Sequence, residues 1–276
     1  QLPKLKFIAT RSAGYDHISL GAAYEKGVKV SRVPHYGTRT VAEYAFALMF
    51  SLSRNAFRSY TDVQRQSVVS DLSVYEGFDL CGKTLGVVGT GAIGENVCQI
   101  GRGLGMQVVA YDVHPKQGLE AEYQVTYLDL LEVAKVADIL TVHVPSLPST
   151  KKLINEDVLT NLKHGAYFIN TARGDVVDTQ ALVKALKNGH LAGAGLDVLE
   201  GEHEMAEEAE LLLHKEVNAE LWQTLVANHA LIDMPNVVVT PHIAFNTKEA
   251  KREITDITAA NILAFVSGTL QNEVKA

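Results

Sequence analysis

The chain has 276 residues, of which 47% are hydrophobic and 21% charged, and its net charge is −7. That length allows one or two domains with sizeable cores, and the acidic balance leaves no basic footprint for nucleic acid or an anionic membrane. No apolar run approaches the roughly 20 residues that span a bilayer. Cys81 and Cys98 make neither a metal spacing nor a disulfide framework, so a reducing cytoplasm and no metal site are expected.

The chain starts at Gln1, without a signal peptide or a starting Met, and runs at once into the apolar stretch Leu5 to Thr10. A domain that opens inside its own sheet implies upstream residues. Phe7 to Ala9 reads as a strand, Leu20 to Lys26 as a helix stopped by Gly27, and Val28 to Val30 as a second strand. One such unit cannot bury both faces of its strands and must belong to a larger sheet. From Thr38 the spacing turns helical, with Val41, Tyr44, Ala45, Leu48 and Leu52 on one face. So apolar a helix is expected to be buried between domains or subunits, and a homodimer is expected. Residues 59–82 have no clean period and read as a surface connection.

Leu85 to Val88 is a short apolar run, the pattern of a strand buried on both faces. It enters Gly89-x-Gly91-x-x-Gly94; a helix follows to Leu104, Gly105 ends it, and a second run, Val108 to Tyr111, closes on Asp112. Gly89 makes the tight turn, Gly91 lets a pyrophosphate approach the backbone, and Gly94 packs helix on strand. The pyrophosphate would meet the unpaired N–H groups and positive dipole end of that helix. Asp112 stands 18 residues past Gly94, where a carboxylate accepts ribose hydroxyls and repels a ribose phosphate. Strand, glycines, helix, strand and acid in this order predict a dinucleotide site that prefers NAD to NADP.

The alternation continues with strands at Ile139 to Val144, Ala166 to Asn170, Ala192 to Leu196 and Val237 to Thr240. Asp178 caps a helix that runs through Leu186, and residues 248–267 form a last helix stopped by Gly268. The fold class is therefore α/β, a doubly wound parallel sheet. Residues 200–220 carry eight glutamates, Glu200, Glu202, Glu204, Glu207, Glu208, Glu210, Glu216 and Glu220, and most read as the solvated face of a helix whose buried side is Leu211 to Leu213.

Ligands of such sheets bind beyond the carboxyl ends of the strands. Val144-Pro145, Thr171 to Arg173, Asp197 with the acids after it, and His242 all lie there. Each alone has an ordinary structural explanation, as a surface ion pair or a strand-end cap. Together they offer a fork-shaped cation for a carboxylate, an imidazole for proton transfer and a carboxylate to orient it.

These strings resemble the D-isomer-specific 2-hydroxyacid dehydrogenases, closest to the D-lactate dehydrogenase branch. The resemblance runs in order through Arg11-Ser-Ala-Gly-Tyr-Asp-His-Ile18, Val33-Pro-His-Tyr36, Val41-Ala-Glu43, the glycine loop, His143-Val-Pro145, Asn170-Thr-Ala-Arg-Gly174, Leu196-Asp-Val-Leu-Glu-Gly-Glu202 and Thr240-Pro-His242. It implies a Rossmann-like NAD domain over 36–244 and a smaller flavodoxin-like substrate domain made of 1–35 and a return helix and tail, 245–276. The family's first strands are absent, so that smaller domain is expected to be N-terminally truncated. The resemblance makes Arg173 the holder of the substrate carboxylate, His242 the acid/base and Glu202 its partner, with Ala13, Gly14 and Tyr36 also at the substrate. It puts Ala92 and Ile93 at the pyrophosphate and Asp112 at the ribose. Val144, Pro145 and Thr150 fall along the adenosine side, and Thr171, Ala172 and Asp197 near the nicotinamide.

The activity this implies is NAD(H)-dependent interconversion of a pyruvate-like 2-oxoacid and a D-lactate-like hydroxyacid. Glu202 speaks against the related formate dehydrogenases, which carry Gln there. The rival readings are an NAD(H)-sensing regulatory protein, like the co-repressors built on this scaffold, and a truncated fragment that binds NADH without turnover. The 39 residues between Glu202 and His242 hold an insert richer in charge than the family pattern.

Overall fold

The computed structural model describes residues 2–65, 71–206 and 219–275. The chain divides into two compact units, residues 1–40 with 245–276, and residues 41–244.

In the first unit, β1 (Phe7–Ala9) and β2 (Lys29–Ser31) pair in parallel, Phe7 opposite Lys29 and Ala9 opposite Ser31. Between them lies α1 (Leu20–Glu25). It ends where Gly27 takes a left-handed φ of +67°, so that the Gly27 N–H reaches the Tyr24 carbonyl and the Val28 N–H reaches Ala23. That Schellman closure is the reason a glycine stands there. Ala23, Val28, Val30 and Val274 make a small core. The closing helix of the chain, Lys248–Val266, is capped by the Thr247 hydroxyl, which accepts the Ala250 N–H at 3.2 Å, and Phe265 stacks on Phe7.

The second unit is built on seven described strands, all parallel. They are β3 (Thr84–Val88), β4 (Gln107–Tyr111), β5 (Thr126–Tyr127), β6 (Ile139–Val142), β7 (Ala166–Asn170), β8 (Leu191–Leu196) and β9 (Val237–Val239). Their spatial order is β5-β4-β3-β6-β7-β8-β9. The order reverses between β3 and β6, and a crevice opens at such a switch point beyond the strand ends. Successive residues alternate between the two faces of the sheet. Leu85, Val87 and Ile139 join the core on one side, and Val88, Leu140 and Phe168 join the core on the other. The doubly wound arrangement follows directly.

One face of helix α2 (Thr38–Ser53) is accounted for within the second unit: Ala42, Ala45, Phe46, Leu48, Met49 and Leu52 pack into the core of that unit's own sheet. A side chain at Gly195 would stand 2.9 Å from the Leu48 Cβ, so a small residue on β8 is what admits this helix. The expected surface connection contains a helix, α3 (Ala56–Gln64). None of its residues is buried, and its short apolar stripe, Phe57, Tyr60 and Val63, faces outward.

The remaining helices are α4 (Ala92–Gly103), α5 (Leu119–Tyr123), α6 (Leu130–Val136), α7 (Glu156–Asn161), α8 (Thr179–Lys187), α9 (Glu202–Ala206) and α10 (Ala219–Asp233). The expected cap of α8 is present, with Asp178 accepting the Ala181 N–H at 3.1 Å. Glu207, Glu208, Glu210 and Glu216, and the proposed buried side Leu211 to Leu213, lie outside the described residues. Glu200 departs from the solvated-face reading: it is half-buried and accepts the Thr179 hydroxyl at 2.9 Å. Burial pushes its pKa up. Among the described residues no helix is long and apolar enough to cross a membrane, and no cluster of three potential metal ligands occurs.

Candidate active site

Every residue singled out in the second unit stands just past a strand end on the same edge of the sheet. After β3, Gly89 adopts φ +92°, and a Cβ on it would lie 2.9 Å from the His143 carbonyl oxygen. A Cβ on Gly94 would lie 1.9 Å from the Gly89 carbonyl oxygen, so the loop folds onto the first turn of α4 backbone to backbone. Gly91 by contrast faces open space. It is the residue before α4 and has no side chain to cap it, and the first amide to close the helix is that of Glu95, on the Gly91 carbonyl at 2.9 Å. The amides of Ala92 and Ile93 thus head the positive end of the dipole beside an open approach, a ready anion site.

Asp112, after β4, accepts the Thr90 N–H at 2.6 Å and the Thr90 hydroxyl at 3.0 Å on Oδ2, and the His114 N–H at 2.8 Å on Oδ1. The acid is therefore tied to the glycine loop itself. After β6, His143 is half-buried, with Nε2 2.9 Å from the Thr141 hydroxyl and a buried Nδ1 lacking a partner. Desolvation of the ring pulls its pKa down to about 3. Val144 touches Gly89 from this side, its Cγ1 2.7 Å from where a Cβ would be. The Thr150 hydroxyl is committed to its own turn, donating to the Pro145 carbonyl at 2.6 Å and accepting the Leu147 N–H at 2.8 Å.

After β7 the chain turns through Asn170 to Gly174. Buried Asn170 folds back on this turn, accepting the Ala172 N–H at 2.9 Å and donating to the Arg173 carbonyl at 2.8 Å. The Arg173 guanidinium donates to the Ala172 carbonyl at 2.8 Å. The Thr171 hydroxyl is buried with no partner. Gly174 is required because a Cβ there would fall 2.0 Å from the Leu199 carbonyl carbon and 2.2 Å from the Glu200 nitrogen.

After β8 and β9 lie the groups with acid/base chemistry. His242 Nδ1 is 2.7 Å from Glu202 Oε1. The hydrogen bond to Glu202 raises the His242 pKa above its ordinary value, with the carboxylate charges of Glu202 and Asp197 acting the same way. Partial burial and the positive charge of Arg173 oppose it. His242 also has a left-handed φ of +53°, uncommon for a non-glycine residue. Buried Asp197 holds that backbone in place. Its carboxylate accepts the Thr240 hydroxyl at 2.6 Å, the Ile243 N–H at 2.9 Å and the Ala244 N–H at 2.7 Å, while its carbonyl accepts the His242 N–H.

Ala13, Gly14 and Tyr36 belong to the first unit. There the Ala13 carbonyl accepts from Arg32, the Gly14 carbonyl accepts the Ser12 hydroxyl, and Tyr36 meets Phe245 edge-on at 6.2 Å.

The glycine loop, the helix end and the anchored acid define a dinucleotide-binding oxidoreductase scaffold. The open approach at Gly91 and the unpartnered Thr171 hydroxyl both suit a bound nicotinamide dinucleotide. The sequence profile of the D-isomer specific 2-hydroxyacid dehydrogenase NAD binding domain matches residues 46–244. Over 263 residues the chain is 38% identical to 2-hydroxyacid dehydrogenase homolog 1 of Schizosaccharomyces pombe, covering 95% of this chain and 76% of that one. Over 283 residues it is 36% identical to a glycerate dehydrogenase of Methylorubrum extorquens, covering 100% and 81%. Among solved structures, the D-lactate dehydrogenase of Aquifex aeolicus in complex with NAD and lactic acid superposes with a TM-score of 0.85 at 37% identity, covering 96% of this chain and 78% of that one. The chain belongs to the D-isomer-specific 2-hydroxyacid dehydrogenase family, and NAD-dependent 2-hydroxyacid oxidoreduction is its chemistry.

Sequence reasoning did not single out Asn170 or Thr90. Both act by short-range side-chain-to-backbone bonds, and an Asn or Thr at a turn is the only trace they leave in sequence. Asp197 was expected near the nicotinamide from the family resemblance. Its carboxylate is taken up by the loop that carries His242.

Proposed function

We propose that the chain interconverts a short 2-oxoacid of the pyruvate type with its D-2-hydroxyacid, using Arg173, Glu202 and His242. The observation that carries this reading is the Glu202–His242 pair at 2.7 Å, with Arg173 presented on the turn after β7. A planar guanidinium matches a carboxylate bidentately and polarises the neighbouring carbonyl. Glu202 stabilises the imidazolium form of His242, and the proton transferred resides on Nε2, the nitrogen opposite the one held by the carboxylate. His242 gives that proton to the carbonyl oxygen in reduction and takes it back in oxidation. The nicotinamide, when bound, supplies or accepts the hydride.

On this reading residues 41–244 hold the cofactor and the acid/base pair, and Ala13, Gly14 and Tyr36 act at the substrate. Asp112 accepts from the adenosine ribose, and Val144, Pro145 and Thr150 line the adenosine side. Thr171, Ala172 and Asp197 flank the nicotinamide. A cytoplasmic homodimer fits as well. It is supported by α3, whose Phe57, Tyr60 and Val63 are 51%, 63% and 71% exposed, a hydrophobic face on which a second copy would seat. Sedimentation of the wild type and of Tyr60→Glu tests this; two monomeric species would refute it.

The test of function is NADH oxidation with pyruvate, glyoxylate and hydroxypyruvate. The expected order is pyruvate highest in kcat/KM. Turnover led by hydroxypyruvate would replace the lactate-type reading with a glycerate-type one. NADH binding without turnover of any of the three would favour the sensing or inactive-fragment readings instead.

A further inference from the structure

The Asp112 carboxylate is held by a directed chain of hydrogen bonds that begins outside the loop. The Lys116 N–H donates to the Tyr127 hydroxyl at 3.1 Å, Tyr127 donates to the Thr90 hydroxyl at 2.9 Å, and Thr90 donates to Asp112 Oδ2 at 3.0 Å. The Thr90 N–H takes the same oxygen and the His114 N–H takes the other. A carboxylate offers about four acceptor positions. Three are filled by these contacts, which leaves Oδ1 as the oxygen with room for a ribose hydroxyl.

Tyr127 stands on β5, next to β4 in the sheet. Its one hydroxyl joins the Thr90 side chain in the glycine loop to the backbone of the segment that follows Asp112. Bonds in such a chain polarise and strengthen one another. The hydroxyl of Thr90, which is 1% exposed, has its rotation fixed by the donor behind it. A carboxylate pinned in this way cannot turn aside, so it both accepts the hydroxyl of NAD and keeps its charge facing the added phosphate of NADP.

We propose that Tyr127 is a positioning residue that sets the preference for NAD over NADP through Thr90 and Asp112. This rests on the assignment of Asp112 to the ribose. With Phe at 127 the Thr90 hydroxyl loses the donor that fixes its rotation, the segment after Asp112 is left bridged to Thr90 by Asp112 alone, and the carboxylate gains freedom to swing away from a phosphate.

The experiment is fluorescence titration of NADH and NADPH against the whole chain. Tyr127→Phe should weaken NADH roughly three- to tenfold, the net worth of one hydrogen bond, without weakening NADPH. The ratio of the two Kd values should therefore narrow by that factor. Thr90→Val should do the same and Thr90→Ser should restore the ratio, which keeps the test alive if the Phe variant does not fold. In an Asp112→Ser background, Tyr127→Phe should change the ratio no further. Equal weakening of both cofactors by Tyr127→Phe would reduce Tyr127 to a structural role and overturn the proposal. So would a ratio unmoved by Tyr127→Phe but narrowed by Asp112→Ser, which would leave the ribose assignment standing. A ratio unmoved by Asp112→Ser would overturn the ribose assignment and this proposal with it.

Discussion

Glu202 and His242 are 40 positions apart in sequence and meet at 2.7 Å, from a helix after β8 and a turn after β9. Reduction of a carbonyl needs the imidazolium, and Glu202 raises the pH up to which that form persists. The rate of pyruvate reduction should therefore fall as pH rises through the raised His242 pKa. Glu202→Gln keeps the shape and removes the charge, so the fall should begin at lower pH in a kcat/KM–pH profile. Glu200→Gln should leave the limb where it is, because Glu200 is engaged with Thr179 and not with His242. A limb moved by Glu200 and not by Glu202 would refute the pairing. The same sign holds for stability: the pair's contribution is complete below the ordinary His pKa of ~6.5 and disappears as pH rises through the raised value.

Arg173→Lys retains a positive charge and loses the planar fork. Activity on 2-oxoacids should drop at least about tenfold while NADH affinity holds. Titration of NADH alongside steady-state kinetics separates the two effects. A parallel loss of cofactor binding would mean that Arg173 supports the turn and does not hold the substrate.

Asp197→Asn replaces one acceptor oxygen with a donor amide facing the donors of Thr240, Ile243 and Ala244. Leaving one buried donor unsatisfied costs about 1–3 kcal/mol, so the urea midpoint should fall. The strained turn at His242 should relax as well, and kcat should fall more than NADH affinity. Unchanged stability would mean that the network is not holding that turn.

Much of the fold was readable because its strands are buried on both faces. Leu85 to Val88 and Ala166 to Ile169 are continuous apolar runs, the pattern expected of strands in a parallel sheet. Helix α3 reads as part of a connection because it has only nine residues, and its stripe, Phe57, Tyr60 and Val63, straddles the start of the segment that reads as aperiodic. The two-residue β5 is too short for a period of two to show. The chemical residues stood out by position at strand ends. Choosing Glu202 from eight glutamates needed the family's spacing, because composition treats them alike. The links from Tyr127 to Thr90 and from Asp197 to Thr240 join positions 37 and 43 apart. Contacts between single polar side chains at that range leave no periodic trace.

Gly94→Ala would place a methyl group 1.9 Å from the Gly89 carbonyl oxygen, a distance no real contact adopts. The loop must shift outward from α4, so NADH affinity should fall at least about tenfold by titration. Gly91→Ala meets nothing within the protein. Its effect should show on cofactor binding alone, with thermal stability unchanged. A stability loss at position 91 larger than at position 94 would reverse the roles given to the two glycines.

Gly174, pressed against the backbone at Leu199 and Glu200, splices two turns into one mechanical part. The segment that presents Arg173 and the segment that leads into Glu202 cannot drift independently, because neither has a side chain's thickness of slack. A change in the course of either segment therefore has to be matched in the other. For an engineer grafting a new specificity, 170–174 and 197–202 are one transplant. A donor loop moved alone would arrive against a carbonyl it was never shaped to meet.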